Sequence, residues 1–160
     1  MSVRITGVSP SGINPSPSGS PEPRASEADT GKSPTDTRTI LIVDDDEGVT
    51  QTFARMLRLE GYQVHTAINA EMGLQQAESS RPDAIILDLR MPLLDGLGFL
   101  RRLRAIAQQR ETPVAIVTGD YFLDERVSSE LQQLGAELKF KPIWLEDLVS
   151  LARTLLKVAH

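Results

Sequence analysis

The sequence predicts an α/β fold: a doubly wound parallel sheet of five strands with helices covering both faces. Three observations predict it. Five short apolar, β-branched-rich runs recur along residues 39–160, and the stretches between them carry apolar residues at helical spacing. The runs show so little polar alternation that they read as strands buried on both faces, the mark of a parallel sheet between helical layers. The order is βαβαβαβαβα.

Each element has its own signal. The first run is Thr39–Val43, followed by a helix with Val49, Phe53, Met56 and Leu57 on one face and Gly61 where a left-handed C-terminal cap belongs. Tyr62–Ala67 is the second run, and Asn69 can cap a second helix carrying Met72, Leu74 and Ala77. Ala84–Leu87 precedes a helix striped with Leu100, Leu103, Ile106 and Ala107. Val114–Val117 precedes one striped with Val127, Leu131 and Leu134. Leu138–Phe140 leads into the strongest stripe, Leu145, Leu148, Val149, Ala152, Leu155 and Leu156. Right-handed crossovers bring the carboxyl ends of all strands to one edge, where such sheets bind ligands.

Residues 1–38 are a different kind of chain. They hold 8 Ser, 6 Pro and 4 Gly, no aromatic residue, and charges that cancel. So few apolar groups cannot offset the entropy of ordering, which predicts a disordered leader, locally extended around its prolines. The net charge of −5, from 22 acids and 17 bases, therefore belongs to residues 39–160. That balance argues against nucleic-acid binding, which needs a basic face. The absence of cysteine excludes disulfides and thiolate chemistry. No apolar run reaches the ~18 residues of a membrane helix and no signal peptide is visible, so a cytoplasmic protein is expected.

The strand ends carry the chemistry. The first strand opens onto Asp44-Asp45-Asp46-Glu47. Asp46 and Glu47 fit a helix N-terminus. Two acids abutting a buried strand read either as part of that solvated terminus or as a divalent-metal site, since crowded carboxylates repel unless a cation intervenes. The third strand ends in Asp88, while the turn beyond it has Pro92 and Asp95-Gly96 of its own. Acids on two strand ends suit Mg²⁺ or Mn²⁺. Thr118-Gly119 ends the fourth strand and Lys141-Pro142 the fifth. Alone, each is weak: a hydroxyl beside a glycine, and a lysine of the kind that often snorkels at a surface. Together with Asp88 they supply a donor and a cation for a phosphoryl group.

In order and spacing, Ile40-Leu-Ile-Val-Asp-Asp, Ile86-Leu-Asp-Leu-Arg-Met-Pro-Leu-Leu-Asp-Gly, Val117-Thr118-Gly119 and Lys141-Pro142 resemble the receiver domain of bacterial two-component response regulators. The resemblance covers residues 39–160 and implies a flavodoxin-like (βα)5 sheet in strand order 2-1-3-4-5. It implies that Asp88 is the phosphoacceptor, and that Asp45 and the Arg90 backbone carbonyl bind Mg²⁺ with Asp44 helping through water. It further implies that Thr118 and Lys141 contact the phosphoryl oxygens and that the Lys141–Pro142 bond is cis. The expected donor is a phosphohistidine on a sensor histidine kinase or phosphotransfer protein. His65, in the second strand, and His160 are not credible donors. No output domain follows, so a stand-alone receiver is expected, acting through a further, unidentified output protein or onward phosphotransfer. By the same resemblance, helix four, strand five and helix five would carry that signal.

Two departures matter. Leu138 stands three residues before the lysine, where receivers commonly place a switching aromatic, and Gly135 to Lys141 is one residue short. Phe140 shares Leu138's strand face by alternation and is a candidate replacement. Arg90 and Asp120 occupy positions where receivers tune phosphoryl lifetime. Two other functions compete: an interaction module indifferent to phosphorylation, favoured only by the altered fifth strand, and a Mg²⁺-dependent phosphohydrolase. The hydrolase needs a second acid two residues beyond Asp88, where Arg90 stands instead.

Overall fold

The apolar runs become five strands, β1 Thr39–Val43, β2 Gln63–Ala67, β3 Ala84–Asp88, β4 Val114–Thr118 and β5 Ala136–Phe140, in a computed structural model that describes residues 37–158. The helices are α1 Glu47–Leu59, α2 Ala70–Ser80, α3 Gly96–Ala105, α4 Glu125–Gln133 and α5 Leu145–Val158, with a 3-10 turn at Ala107–Gln109. All neighbouring strands pair in parallel, in the expected order β2-β1-β3-β4-β5. The leader expected over residues 1–38 lies, apart from Thr37 and Arg38, outside the described residues, as does His160. Among the described residues, no helix is long and apolar enough to cross a membrane.

Strand alternation divides the core in two. Leu41, Val43, Ile85, Leu87 and Ile116 face α2, α3 and α4, against Ala77, Phe99, Leu100, Leu103 and Leu131. Ile40, Ile42, Ile86 and Val117 face α1 and α5, against Ala54, Leu57, Leu148, Ala152 and Leu155. Each large side chain so buried contributes roughly 2 kcal/mol. Register is protected by the acids. Sliding β1 or β3 one residue inward would draw Asp44 or Asp88 into an apolar layer, at a cost of roughly several kcal/mol.

The structure corrects several expectations. Only β1, β3 and β4 are buried on both faces; β2 and β5 are the sheet's edges, and both are partly exposed. Met72 and Leu145, read as core, are exposed, because Ala70, Gly73 and Ala77 form the inner face of α2, and α5 turns its first residue outward. The α3 stripe ends at Leu103: Ala107 is exposed in the 3-10 turn, and Gln109 is buried there, donating its side-chain N–H to the Ala77 carbonyl. β3 and β4 each run one residue beyond expectation, so Asp88 and Thr118 are the last residues of strands.

The caps form as read. Asp46 accepts from the Val49 N–H and Asn69 from the Met72 N–H, and Gly61 has φ 97°. Beyond β3 the chain folds tightly back. The Gly96 N–H donates to the Leu89 carbonyl at 2.8 Å, and a Cβ at Gly96 would lie 2.7 Å from the Asp88 carbonyl oxygen. The Leu94 N–H bonds the Pro92 carbonyl at 2.8 Å around Leu93, whose φ of 71° makes this a γ-turn that a leucine adopts only under strain. Thermal unfolding should show Gly96→Ala less stable by about 2–3 kcal/mol, through the backbone clash. The same measurement should show Leu93→Asn more stable by about 1 kcal/mol, because asparagine tolerates positive φ.

Candidate functional site

Asp44 and Asp45 follow β1, Asp88 ends β3, and those two strands are neighbours at the centre of the sheet. Their carboxylates can each offer one oxygen within 4.8 Å of the others. Asp44 and Asp88 are only 4% and 7% exposed, whereas Asp45 faces solvent. Lys141, one residue beyond β5, reaches back across β4: its Nζ lies 3.2 Å from Asp44 Oδ2 and 3.6 Å from Asp88 Oδ1. The Lys141–Pro142 bond is cis.

One lysine does not balance these acids. Burial raises the Asp88 carboxyl to about 6, and the Asp44 charge beside it adds to the rise. Lys141 opposes that rise, Asp45 reinforces it, and the Arg90 backbone N–H lowers it slightly. Burial works against the Lys141 ammonium, but Asp88 and Asp44 outweigh it and hold its pKa above the ordinary lysine value. Three crowded carboxylates with an unmet demand for positive charge fit a small hard dication ligated by oxygen.

Thr118 is adjacent in the sheet, since Asp88 pairs in register with Val117. It is fully buried, and its Oγ1 accepts from the Asp120 N–H at 3.1 Å. Its carbonyl accepts from the Lys141 N–H at 2.8 Å, which ties the ends of β4 and β5. The Arg90 side chain turns away from Asp88 to pair with Asp120, with Nε 3.0 Å from Oδ2. That bond, with the Phe122 N–H, holds the Asp120 carboxyl below its ordinary range.

Reading residues one at a time missed Tyr121. Its hydroxyl donates to the Lys141 carbonyl, and its ring stacks on Phe140, centroids 5.3 Å apart and planes at 20°. An aromatic directly after Gly119-Asp120 was the available signal. Phe140 is thus partly exposed on the β4–β5 edge, while Leu138 packs against the core.

A doubly wound sheet with clustered acids at the ends of β1 and β3 and a lysine from β5 defines a phosphoryl- or metal-handling class. Residues 40–153 match the response regulator receiver domain model, and the chain belongs to that family. It is 38% identical over 118 residues to the transcriptional regulatory protein PrrA of Mycobacterium leprae, covering 74% of this chain and 49% of that protein. It is 37% identical to the response regulator MprA of Mycolicibacterium vanbaalenii, covering 74% and 50%. The chain therefore spans about half the length of these curated relatives. Among solved structures, the chemotaxis protein CheY4 of Vibrio cholerae superposes with a TM-score of 0.70 at 29% identity, covering 75% of this chain and 99% of that one. A CheY-like receiver domain of Methanospirillum hungatei gives 0.71 at 26%, covering 77% and 96%. Receiver domains are signalling modules of two-component systems, served by a histidine kinase or phosphotransfer partner, and they bind Mg²⁺ through acidic residues. The Asp44–Asp45–Asp88 cluster is one that can hold such an ion.

The raised Asp88 pKa has a consequence for stability. Because the folded state binds this proton more tightly than the unfolded chain, ionising Asp88 costs stability as pH rises from about 4 to about 6, and the full penalty persists above that. In chelated buffer at pH 8, Asp88→Asn should be more stable than wild type by about 1–2 kcal/mol after allowing for solvent screening. At pH 3.5 the difference should vanish. Urea unfolding at the two pH values measures it, and a gain as large at pH 3.5 would refute the burial argument.

Proposed function

We propose that the chain is a signalling receiver whose Asp88 accepts a phosphoryl group from a phosphohistidine on a sensor histidine kinase or phosphotransfer protein. The observation that carries the reading is the convergence of Asp44, Asp45 and Lys141 on a buried Asp88. Mg²⁺, or Mn²⁺ in its place, would be held by Asp45, Asp88 and the Arg90 backbone carbonyl, with Asp44 through water, and would supply the positive charge the acids lack. Asp88 then attacks phosphorus in line, forming an acyl O–P bond as the N–P bond to histidine breaks. Lys141, already beside Asp88 Oδ1, pairs with one phosphoryl oxygen as charge spreads over the transition state. Thr118 receives a hydrogen bond from Asp120, which leaves its own hydroxyl proton to donate to another.

The receiver unit we assign is residues 39–160, with residues 1–38 outside it. Its output passes to a protein partner, by contact or onward transfer, and its acidic balance favours proteins over nucleic acid. Such transfer fits the cytoplasm. The chain's only catalysis would be its own phosphorylation and dephosphorylation.

Incubation with Mg²⁺ and phosphoramidate should add one phosphoryl group, seen by intact mass. Asp88→Asn or chelation should abolish the addition, and Lys141→Met should slow it roughly tenfold. Labelling that survives Asp88→Asn would overturn the assignment. No labelling of wild type by any donor would leave a phosphorylation-independent interaction module, and turnover of an external phosphoester would revive a hydrolase.

A further inference from the structure

Strand pairing alone does not place Lys141. It lies one residue beyond β5, an edge strand with a single neighbour, and the last pair in the β4–β5 register is Thr118 with Phe140. Its ammonium nevertheless stands 3.2 Å from Asp44 Oδ2 and 3.6 Å from Asp88 Oδ1, beyond β4 at the ends of β1 and β3. A lysine hangs on a flexible four-carbon stem and meets its partners as a point charge, so it is only as well placed as the backbone that bears it. The next residue is Pro142, which has no N–H with which to fix the following peptide.

One loop supplies what pairing does not. The Lys141 N–H donates to the Thr118 carbonyl at 2.8 Å, and the Lys141 carbonyl accepts from the Tyr121 hydroxyl. Thr118 and Tyr121 are three residues apart, so both polar groups of the Lys141 backbone are gripped by the chain leaving β4. That chain is itself ordered. The Asp120 N–H bonds Thr118 Oγ1 at 3.1 Å, the Phe122 N–H bonds Asp120 Oδ1 at 3.0 Å, and Arg90 holds the Asp120 carboxylate. The Tyr121 ring stacks on Phe140, the residue before the lysine, with centroids 5.3 Å apart, and so is seated beside the carbonyl its hydroxyl reaches. Burial does not account for a tyrosine at this position, which is 58% exposed.

We propose that Tyr121 is a positioning residue for phosphoryl transfer: its hydroxyl bond to the Lys141 carbonyl, seated by the stack on Phe140, holds Lys141 where its ammonium meets Asp88 and the incoming phosphoryl oxygen. The inference rests on the phosphoacceptor reading above and adds a residue to it. Tyr121 acts through Lys141 alone, and its hydroxyl proton stays where it is throughout. Without that hydroxyl the Lys141 carbonyl bonds water instead, and the freedom its backbone gains passes along the side chain to Nζ. A charge stabilises a transition state in proportion to how well it is held in advance, so a wandering ammonium is a weaker catalyst even though it is still present. Phe140, the candidate for the aromatic missing at Leu138, serves as the seat of the tyrosine ring.

The experiment is a double-mutant cycle, read as the rate of labelling by phosphoramidate in Mg²⁺ and followed by intact mass. Tyr121→Phe keeps the ring and its stack and removes the hydroxyl; it should lower kcat roughly threefold with KM unchanged. Tyr121→Leu, which loses the stack as well, should approach the roughly tenfold loss expected of Lys141→Met. In the Lys141→Met background, Tyr121→Phe should have no further effect, because the tyrosine acts only through the lysine. Phe122→Ser, one residue along the same loop and 93% exposed, should label at the wild-type rate. Circular dichroism checks folding, and Tyr121→Phe, which removes one hydroxyl from an exposed ring, is the variant least able to disturb it. A Tyr121→Phe rate equal to wild type, or a loss that persists without Lys141, would overturn the positioning role while leaving the phosphoacceptor assignment intact. Labelling that survives Asp88→Asn, or no labelling of wild type, would instead overturn the reading beneath it.

Discussion

Repulsion among three carboxylates is the constraint on which this molecule turns. Asp44, Asp45 and Asp88 lie within 4.8 Å of one another, and two of them are nearly removed from water. Coulomb's law makes such a group unfavourable at any dielectric constant a protein offers. Lys141 meets part of the demand, yet Asp88 still titrates near 6. A fold selected for stability alone would have placed amides or alanines there. What maintains the cluster is the packing beneath it: β1 and β3 are neighbours, their side chains fill two cores at once, and their ends can neither retreat nor slide without burying an acid deeper.

The same constraint explains why the supporting shell is tightly tied. The chain leaving Asp88 is turned back at once, with Gly96 pressed against the Asp88 carbonyl where no Cβ fits. Thr118 holds Asp120 through its hydroxyl and Lys141 through its carbonyl, so the ends of β4 and β5 move as a unit. A lysine that must stand 3.2 Å from one acid and 3.6 Å from another needs a backbone fixed on that scale, and these bonds fix it.

Much of this was legible in the sequence, for a physical reason. Central strands of a parallel sheet are apolar until polarity begins, so the apolar runs of β1, β3 and β4 pointed to Asp44, Asp88 and Thr118 directly beyond them, although β3 and β4 themselves continue through Asp88 and Thr118. Edge strands have one side in water, and the mixed pattern of Gln63–Ala67 blurred the difference between edge and centre. Helix faces were legible only where side-chain size matched burial. In α2 the buried face is made of Ala70, Gly73 and Ala77, so the larger Met72 misled, being outside the face it was expected to fill. Leu145 misled for a different reason: it is the first residue of α5 and faces outward, while the large Leu148, Leu151 and Leu155 fill the buried face. The Tyr121–Phe140 stack was invisible because nothing in sequence spacing links residue 121 to residue 140; parallel pairing of β4 with β5 does so, bringing Thr118 opposite Phe140.

Arg90 and Asp120 show how little of a surface ion pair's value lies in stability. Arg90 is largely exposed, and such pairs contribute about 0–1 kcal/mol, less in salt. What the pair does is geometric. It closes a chain of contacts running from the β3 loop through Asp120 and Tyr121 to the Lys141 carbonyl, so three loops that begin at three separate strand ends share one framework. Loops left independent would each lose freedom when a partner arrived, at about 0.5–1.5 kcal/mol for every side chain ordered. Loops already bound to one another have lost much of that freedom in the free protein. An edge that is acidic at its centre, apolar at its tips and cross-linked between them thus holds its loops in one arrangement before anything binds.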